Sequence, residues 1–416
     1  MKNVAIIGVT GYARVHVETC LRLQEAGRLR LRAAVVVNPE EAGERVDELR
    51  AAGCCIYPDD DSMWTAELGK IDLCIIPVPI ALHASMSIKA LRAGANVLVE
   101  KPLAGTVQEA HAMMEAEQET GRFIAVGFQD LYSPEVKAVK EAIVDGAVGK
   151  VRSIRCYGLW PRPPSYYNRN NWAGQLKVGE SWVLDSPVSN AMAHFLNLGL
   201  YFGAAGFQEV ARPSVVEADL YRVKPVANFD TAAIRILTAD GPEVFFAVSH
   251  ACDVRVDPAL RVDGSEGRIE WYHCGPFRIV RDGAEPSVTT YPFTDYGDVR
   301  MDMMNRVLDR IDDPAVHVCT PAMALSHTLV VNTIYESARI ADVPSAWKVT
   351  TKLFGEESLC LKGLPEAIRA AFDEGKLFRE LGLPWARGEG HEINVAGYNR
   401  FCGGRLEETM SPGGMA

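Results

Sequence analysis

The chain opens on an apolar strand pattern, a glycine turn and a helix pattern, and residues 4–20 read VAIIGVTGYARVHVETC. The first four residues are apolar without interruption, which is typical of a strand covered on both faces in a parallel sheet. Gly8 and Gly11 lie in the turn, and helical spacing begins near Ala13. Such a turn can hold a pyrophosphate with its backbone amides and the positive end of the helix dipole. The stretch therefore predicts a βαβ fold that binds a dinucleotide.

The turn matches the dinucleotide pattern G-x-G-x-x-G/A at its first and third positions. Gly8 and Ala13 occupy those positions, while Thr10 stands at the second and Gly11 follows it. An ordinary tight turn is the alternative interpretation. Because a strand and a helix flank the turn in the right order, we predict nucleotide binding there. The residues predicted to contact the nucleotide are Gly8, Thr10, Gly11, Tyr12 and Ala13.

The end of the second predicted strand indicates which dinucleotide is preferred. An acidic residue at this place binds the adenosine ribose hydroxyls, and a nearby arginine accommodates a 2′-phosphate. Here the sequence is Asn38-Pro39-Glu40, and the next arginine is Arg45. Asparagine can still bond a ribose hydroxyl, so we predict NAD rather than NADP, with Asn38 at the ribose. An ordinary Asn-Pro turn is the alternative.

The first 130 residues continue the strand–helix alternation, which predicts an α/β Rossmann dinucleotide-binding domain over residues 1–130. The predicted strands are Val4–Ile7, Ala33–Val37, Leu73–Ile76, Asn96–Val99 and Phe123–Val126. The predicted helices are Arg14–Ala26, Glu40–Ala52, Ile80–Ala93 and Thr106–Thr120.

Beyond residue 148 the pattern changes to strands of alternating character separated by Asp-Gly turns. This predicts an α+β domain over residues 131–349 with a large, mostly antiparallel sheet that is open on one face. A bare apolar face would aggregate in a monomer, so we predict a homodimer or homotetramer through this sheet. Residues 350–416 are expected to form an extension that is helical over Leu364–Leu381 and disordered over Met410–Ala416.

Composition excludes several classes of partner. The chain has 416 residues and a net charge of −11, with no dense Lys/Arg run, so neither nucleic acid nor membrane is an expected partner. Its 10 cysteines include no C-x-x-C pair, which predicts free thiols. A strand that begins at Val4 leaves no room for a signal peptide, and we expect a cytoplasmic protein. The histidines lack metal-ligand spacing, so no metal is expected.

A second stretch of the first domain carries chemistry. It runs IIPVPIALH over residues 75–83 and ALRAGANVLVEKPLA over residues 90–104. Lys101 stands at the carboxyl end of a parallel strand, where such sheets bind ligands, and Pro102 restricts its backbone. A lysine held there can bond a substrate hydroxyl and the nicotinamide ribose. A surface lysine at a strand end is the alternative.

These motifs resemble the Gfo/Idh/MocA oxidoreductases, the family of glucose–fructose oxidoreductase and inositol 2-dehydrogenase. The resemblance covers about residues 3–349 and rests above all on the E-K-P run. It implies an NAD(P)-dependent enzyme of carbohydrate metabolism, usually a dimer or tetramer. Cofactor contacts are implied for Pro77, Pro79, His83, Glu100 and Lys101.

The family's second active-site element is an Asp and a His four residues apart on one helix. Here Asn190 occupies the Asp position and His194 matches the His. This spacing places both on one face of the predicted helix. Because asparagine carries no charge, Asp185 in the preceding turn is the candidate to compensate. A buried structural histidine is the alternative for His194.

The segment from Trp160 to Gly174 is dense in aromatic rings, arginines and amides, which are groups that bind sugars. A loop that packs its own aromatics is the alternative. The predicted substrate contacts are Lys101, Trp160, Arg162, Tyr166, Tyr167, Arg169, Asn171, Trp172, Asn190 and His194.

The leading hypothesis is an NAD(P)-dependent oxidoreductase that acts on a secondary alcohol of a sugar, glycoside or polyol. His194 would be the general base and Lys101 would polarise the oxygen. A lyase, epimerase or glycosidase with tightly bound NAD is an alternative, because it needs the same groups. A non-catalytic dinucleotide-binding regulator is another. A semialdehyde reductase would need a nucleophilic Cys, but Cys156 and Cys252 lie in predicted strands without an adjacent base.

Overall fold

The computed structural model describes residues 1–239, 241–283, 286–293 and 298–406, and its chain forms two compact units. The first unit contains residues 1–104, 108–133 and 298–324; the second contains residues 105–107, 134–293 and 325–406. This division differs from the predicted domains in two ways. Residues 298–324 belong to the first unit, and residues 350–406 belong to the second unit rather than standing apart. The tail predicted over Met410–Ala416 lies outside the described residues.

Both units are built from short strands and helices. The strands are β1 (Lys2–Ile7), β2 (Leu29–Val35), β3 (Cys55–Tyr57), β4 (Leu73–Ile76), β5 (Asn96–Val99), β6 (Ile124–Val126), β7 (Val151–Leu159), β8 (Lys177–Val178), β9 (Ser181–Trp182), β10 (Pro213–Arg222), β11 (Thr231–Thr238), β12 (Glu243–Ser249), β13 (Val256–Gly264), β14 (Gly267–Tyr272), β15 (Phe277–Arg281), β16 (Ser287–Tyr291), β17 (Ile340–Asp342), β18 (Lys348–Leu353), β19 (Glu356–Leu361) and β20 (Ile393–Asn394). The α-helices are α1 (Ala13–Glu25), α2 (Pro39–Ala42), α3 (Glu44–Ala51), α4 (Asp60–Glu67), α5 (His83–Arg92), α6 (Val107–Thr120), α7 (Pro134–Val144), α8 (Pro164–Tyr167), α9 (Ala193–Gly203), α10 (Val299–Arg310), α11 (Pro321–Ser337) and α12 (Leu364–Glu374).

The first unit is a six-stranded parallel sheet in the order β3-β2-β1-β4-β5-β6, which confirms the predicted Rossmann-like fold. The apolar runs of β1 and β4 are buried, as strands covered on both faces require. The helix predicted over Glu40–Ala52 is instead two helices, because Gly43 adopts a φ of +54° between α2 and α3. No helix in the described ranges is long and apolar enough to cross a membrane.

The second unit is a mixed sheet with strand order β16-β15-β14-β13-β7-β12-β11-β10-β17, and β20 pairs with β10. The pairs β7–β12 and β10–β17 are parallel and the others are antiparallel, which confirms a large, mostly antiparallel sheet. One face packs against α9: Cβ atoms added at Gly199 and Gly203 would lie 3.2 Å from Val244 and 3.5 Å from Ile154, respectively.

The other face of this sheet is covered in part. Phe245 and Ala247 of β12 join a buried cluster with Leu364 and Ile368 of α12 and with Phe378 beyond it. Toward the β16 edge the same face carries exposed side chains, since Val288 is 63% exposed. The C-terminal residues therefore cover one part of the face that was predicted to be open, and the predicted oligomer stays a prediction.

A buried lysine fixes the helix that carries His194. Lys140 of α7 is fully buried, and its Nζ donates to the carbonyl oxygens of Tyr201 at 2.7 Å and Ala204 at 2.5 Å. These carbonyls lie at the C-terminal end of α9, where a cation is favourable. Burial lowers the pKa of Lys140 to about 8. The lysine thus holds α9 against α7.

Lys140 should make the stability of the protein depend on pH in the alkaline range. An unfolded lysine has a pKa near 10.4, so between about pH 8 and pH 10.4 the unfolded chain binds more protons. The free energy of unfolding should therefore rise with pH in this window by about 3 kcal/mol in total. Urea unfolding of the wild type and Lys140→Met at several pH values measures the difference. Parallel curves for the two proteins would contradict the prediction.

Candidate functional site

The predicted nucleotide turn lies between β1 and α1 at the carboxyl edge of the parallel sheet. Gly8 has a φ of +93° and Gly11 a φ of +57°, which are left-handed conformations that favour glycine. The amides of Ala13 and Arg14 bond back to the carbonyls of Thr10 and Gly11 at 3.1 and 3.4 Å, which closes the first turn of the helix. A glycine turn that opens a helix N-terminus at this edge fits a dinucleotide pyrophosphate.

Tyr12 of this turn is held by a residue that the sequence analysis missed. Its hydroxyl accepts a hydrogen bond from Arg300 Nε at 3.2 Å, and Arg300 forms an ion pair with Asp298, which caps α10. Arg300 is distant in sequence and belongs to a helix that was not predicted, so no local pattern indicated it. The contact is one of several between residues 298–324 and the first unit; another is the Cys319 amide, which donates to the Tyr132 hydroxyl at 2.8 Å.

Asn38 follows β2 and stands at the N-terminus of α2, where its side chain makes no capping bond to a backbone amide. Its side-chain amide instead donates to the side chain of Glu41 in α2, at 3.4 Å from Oε2. A carboxylate beside this asparagine would repel a 2′-phosphate and can accept a ribose hydroxyl. The local charge therefore agrees with the preference for NAD.

Lys101 directly follows a carboxylate that is held from two sides. Glu100 is 6% exposed; its Oε1 pairs with His16 Nε2 at 2.8 Å and its Oε2 accepts the backbone amide of Lys101 at 3.1 Å. His16 lies on the buried face of α1, one turn after the glycine turn. The sequence analysis missed His16, although its position beside Val17 and Cys20 on the apolar face was a signal. The arrangement joins the nucleotide turn to the Lys101 backbone.

His83 is enclosed by the backbone around it. The side chain is 1% exposed, and its Nδ1 and Nε2 lie 2.7 Å from the Pro102 carbonyl oxygen and 3.0 Å from the Val78 carbonyl oxygen. Burial lowers the pKa of His83. The ring lies between the Pro77–Pro79 turn after β4 and the backbone that follows Lys101. The cofactor contact of His83 stays a prediction.

Gly127→Ala should disturb Lys101 through its neighbour. A Cβ at Gly127 would lie 2.9 Å from Glu100 Oε1, which is too close, and the buried carboxylate has little room to move. We expect a loss of stability of about 1–3 kcal/mol and a fall in activity of roughly tenfold. Thermal melting and steady-state kinetics measure both effects. Gly206→Ala is the control, because a Cβ there would meet only the side chain of the exposed Glu209, which can move aside; if Gly127→Ala behaved like this control, the packing argument would be wrong.

In the second unit, Asp185 and Asn190 form one buried pair. Asp185 is 2% exposed; its Oδ1 accepts from Asn190 Nδ2 at 2.7 Å and its Oδ2 accepts from the Gly174 amide at 2.6 Å. Asn190 lies in a π-helical turn, Pro187–Ala191, that Ser186 caps. The N-cap of this turn is therefore Ser186 and not Asp185. Turns of this kind are frequent at functional sites.

His194 lies in the first turn of α9 and is 9% exposed. The predicted single helix through Asn190 and His194 is interrupted at Met192, whose φ of −115° and ψ of 19° separate the π-helical turn from α9. The i, i+4 spacing therefore does not place the two on one regular helical face. Because Asp185 binds both Asn190 and Gly174, it ties the π-helical turn to the end of the aromatic segment.

The aromatic segment brings most of its predicted residues together. Arg162 lies over the rings of Tyr166 at 4.6 Å and Trp160 at 5.6 Å, and Arg169 lies over Tyr166 at 3.8 Å and Trp172 at 5.1 Å. Distances here run from the guanidinium carbon to the ring centroid.

Further hydrogen bonds hold the same segment in place. The Tyr167 hydroxyl bonds His250 Nδ1 at 3.0 Å, and burial lowers the pKa of His250 well below its usual range. Asn171 is exposed, and the neighbouring Asn170 makes the turn contacts instead by accepting the amides of Trp172 and Ala173. His250 was missed by the sequence analysis, because it contacts the segment from β12.

Parts of both units match the sequences of known protein families. Residues 2–128 match the family described as an oxidoreductase family with an NAD-binding Rossmann fold, and residues 136–270 match the GFO/IDH/MocA C-terminal domain. The chain belongs to the Gfo/Idh/MocA family. Its first unit is an NAD-binding Rossmann fold of this family, which confirms the predicted dinucleotide. Neither match extends into residues 350–406.

Curated relatives of this Gfo/Idh/MocA chain include sugar and polyol enzymes. Inositol 2-dehydrogenase/D-chiro-inositol 3-dehydrogenase of Halalkalibacterium halodurans is 27% identical over 46% of this chain and 50% of its own length. The 2,7-anhydro-N-acetylneuraminate hydratase of Mediterraneibacter gnavus is 30% identical over 42% of each chain. The chain thus spans about half the length of the curated relatives it matches.

Solved structures share the fold of this Gfo/Idh/MocA chain. Levoglucosan dehydrogenase in complex with NADH and L-sorbose has a TM-score of 0.67 at 19% identity, over 81% of this chain and 96% of its own. The WlbA dehydrogenase of Bordetella pertussis, in complex with NADH and UDP-GlcNAcA, has a TM-score of 0.65 at 19% identity, over 80% and 94%. At this identity the likeness shows the fold alone.

Proposed function

We propose that this protein is an NAD-dependent oxidoreductase that acts on a secondary alcohol of a sugar, glycoside or polyol. The observation that carries the proposal is Lys101. It follows β5 at the carboxyl edge of an NAD-binding sheet, and Glu100 and His16 hold its backbone in place. Ligands of open parallel sheets bind at this edge.

The residues present fit NAD. The turn from Gly8 to Ala13 would hold the pyrophosphate, and Asn38 with Glu41 would bond the adenosine ribose. Pro77 and Pro79, in the turn fixed by His83, would line the nicotinamide end. When bound, the nicotinamide supplies a hydride acceptor at C4.

The protein's own groups would position the alcohol and move its proton. Lys101 would donate a hydrogen bond from Nζ to the substrate oxygen, which favours the oxygen as it develops negative charge. His194 would accept the hydroxyl proton on its imidazole. Asn190, held by Asp185, would orient the substrate, and Asp185 supplies a fixed negative charge in the same group of residues.

The aromatic segment would select the substrate. Trp160, Tyr166 and Trp172 offer flat apolar faces to the CH groups of a sugar ring, and the two arginines offer hydrogen-bond donors. All ten cysteines are free thiols, which supports the cytoplasm as the place of action.

A second candidate function is redox-neutral chemistry with retained NAD. One relative that is 30% identical over 42% of this chain is named a hydratase, which favours keeping this candidate. Both functions use the same proton acceptor and the same lysine, and they differ in whether reduced cofactor accumulates.

A substrate panel tests the proposal and separates the candidates. Purified protein is mixed with NAD and with myo-inositol, levoglucosan, neutral hexoses and hexuronates in turn, and NADH absorbance is recorded. Accumulating NADH with one class supports the oxidoreductase. Conversion of a sugar with one equivalent of NAD per chain and no accumulated NADH would support the redox-neutral function instead.

A further inference from the structure

Two arginines of the aromatic segment lack the ion pairs that several other arginines of the second unit form. Examples of such pairs are Arg222 with Asp342 at 2.8 Å, Arg261 with Asp263 at 3.0 Å and Arg268 with Glu270 at 2.8 Å. In the described part of the chain, Arg162 and Arg169 have no such carboxylate partner.

The two guanidinium groups converge on one ring. Arg162 lies 4.6 Å and Arg169 lies 3.8 Å from the centroid of Tyr166. The Arg162 Nε is buried and, among the described residues, has no hydrogen-bond partner. The guanidinium bonds the Tyr166 side chain, but a buried donor atom without an acceptor is costly, so an oxygen of a ligand beside Arg162 would be favourable.

Two buried carboxylates near this pair accept hydrogen bonds from other groups. Asp185 accepts from Gly174 and Asn190. Asp230 accepts from the amides of Val223 and Lys224 at 3.0 and 2.7 Å. The positive charges of Arg162, Lys224 and Arg169 also contribute to the lowered pKa of His250, after the larger effect of burial.

We infer that Arg162 and Arg169 bind an anionic group of the substrate, so that the substrate is an acidic sugar. The inference rests on the proposed function and narrows its substrate class. A neutral sugar needs both donors and acceptors, whereas guanidinium groups only donate and match the paired oxygens of a carboxylate or phosphate. The anion would come from a sugar acid, a sugar phosphate or a nucleotide sugar.

Matched pairs of sugars test this inference. Turnover with NAD is compared for glucuronate against glucose and for galacturonate against galactose. Glucose 6-phosphate and UDP-glucuronate are each compared with glucose and with glucuronate. Binding is followed in parallel by tryptophan fluorescence of the NAD-loaded protein, since Trp160 and Trp172 lie beside the arginines. We expect the acidic member to be preferred, and the preferred class identifies the source of the anion.

Variants of Arg162 and Arg255 test whether Arg162 binds the anionic group. Arg162→Gln should lower kcat/KM or affinity for the acidic sugar by about 10- to 100-fold, and by much more than it lowers the same quantity for the neutral partner. Arg255→Gln is the control, because Arg255 also lies over Trp160, at 5.3 Å, but pairs with Asp257. A preference for neutral sugars that Arg162→Gln does not alter would overturn the inference and leave the proposed function intact. Failure to bind NAD would instead overturn the proposed function.

Discussion

Replacing Lys101 by alanine is expected to lower kcat/KM by a factor of about 10² to 10⁴. The lysine side chain is the donor that the proposed mechanism places on the reacting oxygen, and no other group of the Glu100–Pro102 turn can replace it. The fold should persist, because the turn is held by Glu100 and His16 rather than by the lysine side chain. Steady-state kinetics with the substrate identified by the panel, together with a melting curve, measure the effect.

The control for this prediction is Lys70→Ala, which removes a lysine whose side chain is 53% exposed. It should leave kcat/KM within about twofold of the wild type, since exposed substitutions rarely matter. His194→Ala should lose activity in the same range as Lys101→Ala. If both active-site variants kept wild-type activity, the assigned roles would be wrong.

Asp185→Asn is expected to reduce activity about 100-fold, far more than Asn190→Ala. Each oxygen of Asp185 accepts from a different donor, Gly174 N at 2.6 Å and Asn190 Nδ2 at 2.7 Å. An asparagine has one oxygen, so its amide nitrogen would face a second donor in a buried place. We expect a stability loss of about 1–3 kcal/mol and a displaced Asn190.

Asn190→Ala provides the comparison, because it removes one donor and leaves the Asp185 bond to Gly174 in place. Its activity should fall by roughly tenfold, as expected for a positioning group. Kinetics and melting temperature of both variants separate the roles. A thermally weakened but fully active Asp185→Asn enzyme would reduce Asp185 to a structural residue.

The fold of the first unit could be predicted from the sequence, because the patterns that indicate it are local. Uninterrupted apolar runs, glycines at helix ends and the turn from Gly8 to Ala13 each lie within one strand–helix unit. The contacts that complete the site are not local. His16 reaches Glu100 across 84 positions, and Arg300 reaches Tyr12 across 288. Such pairs are fixed by packing and leave no periodic pattern in the sequence.

The second unit differs from its prediction at one face of its sheet and at the helix that contains His194. The strands were predicted from their alternation, but alternation does not indicate what covers each face, and α12 covers part of the face that was expected to be open. The helix through Asn190 and His194 was predicted from spacing, and the interruption at Met192 could not be deduced from helical propensity. The sequence indicated which residue types to expect in the second unit, but it did not indicate which residues they contact.

The most direct test of the central claim, that this Rossmann unit serves an NAD-dependent enzyme, is calorimetric titration of the purified protein with NAD. We expect one site per chain with a dissociation constant in the micromolar range, which corresponds to about −8 kcal/mol. Tightly held cofactor would appear instead as one NAD or NADH per chain released on denaturation. A protein that gives no binding heat with NAD and releases no dinucleotide would contradict the account.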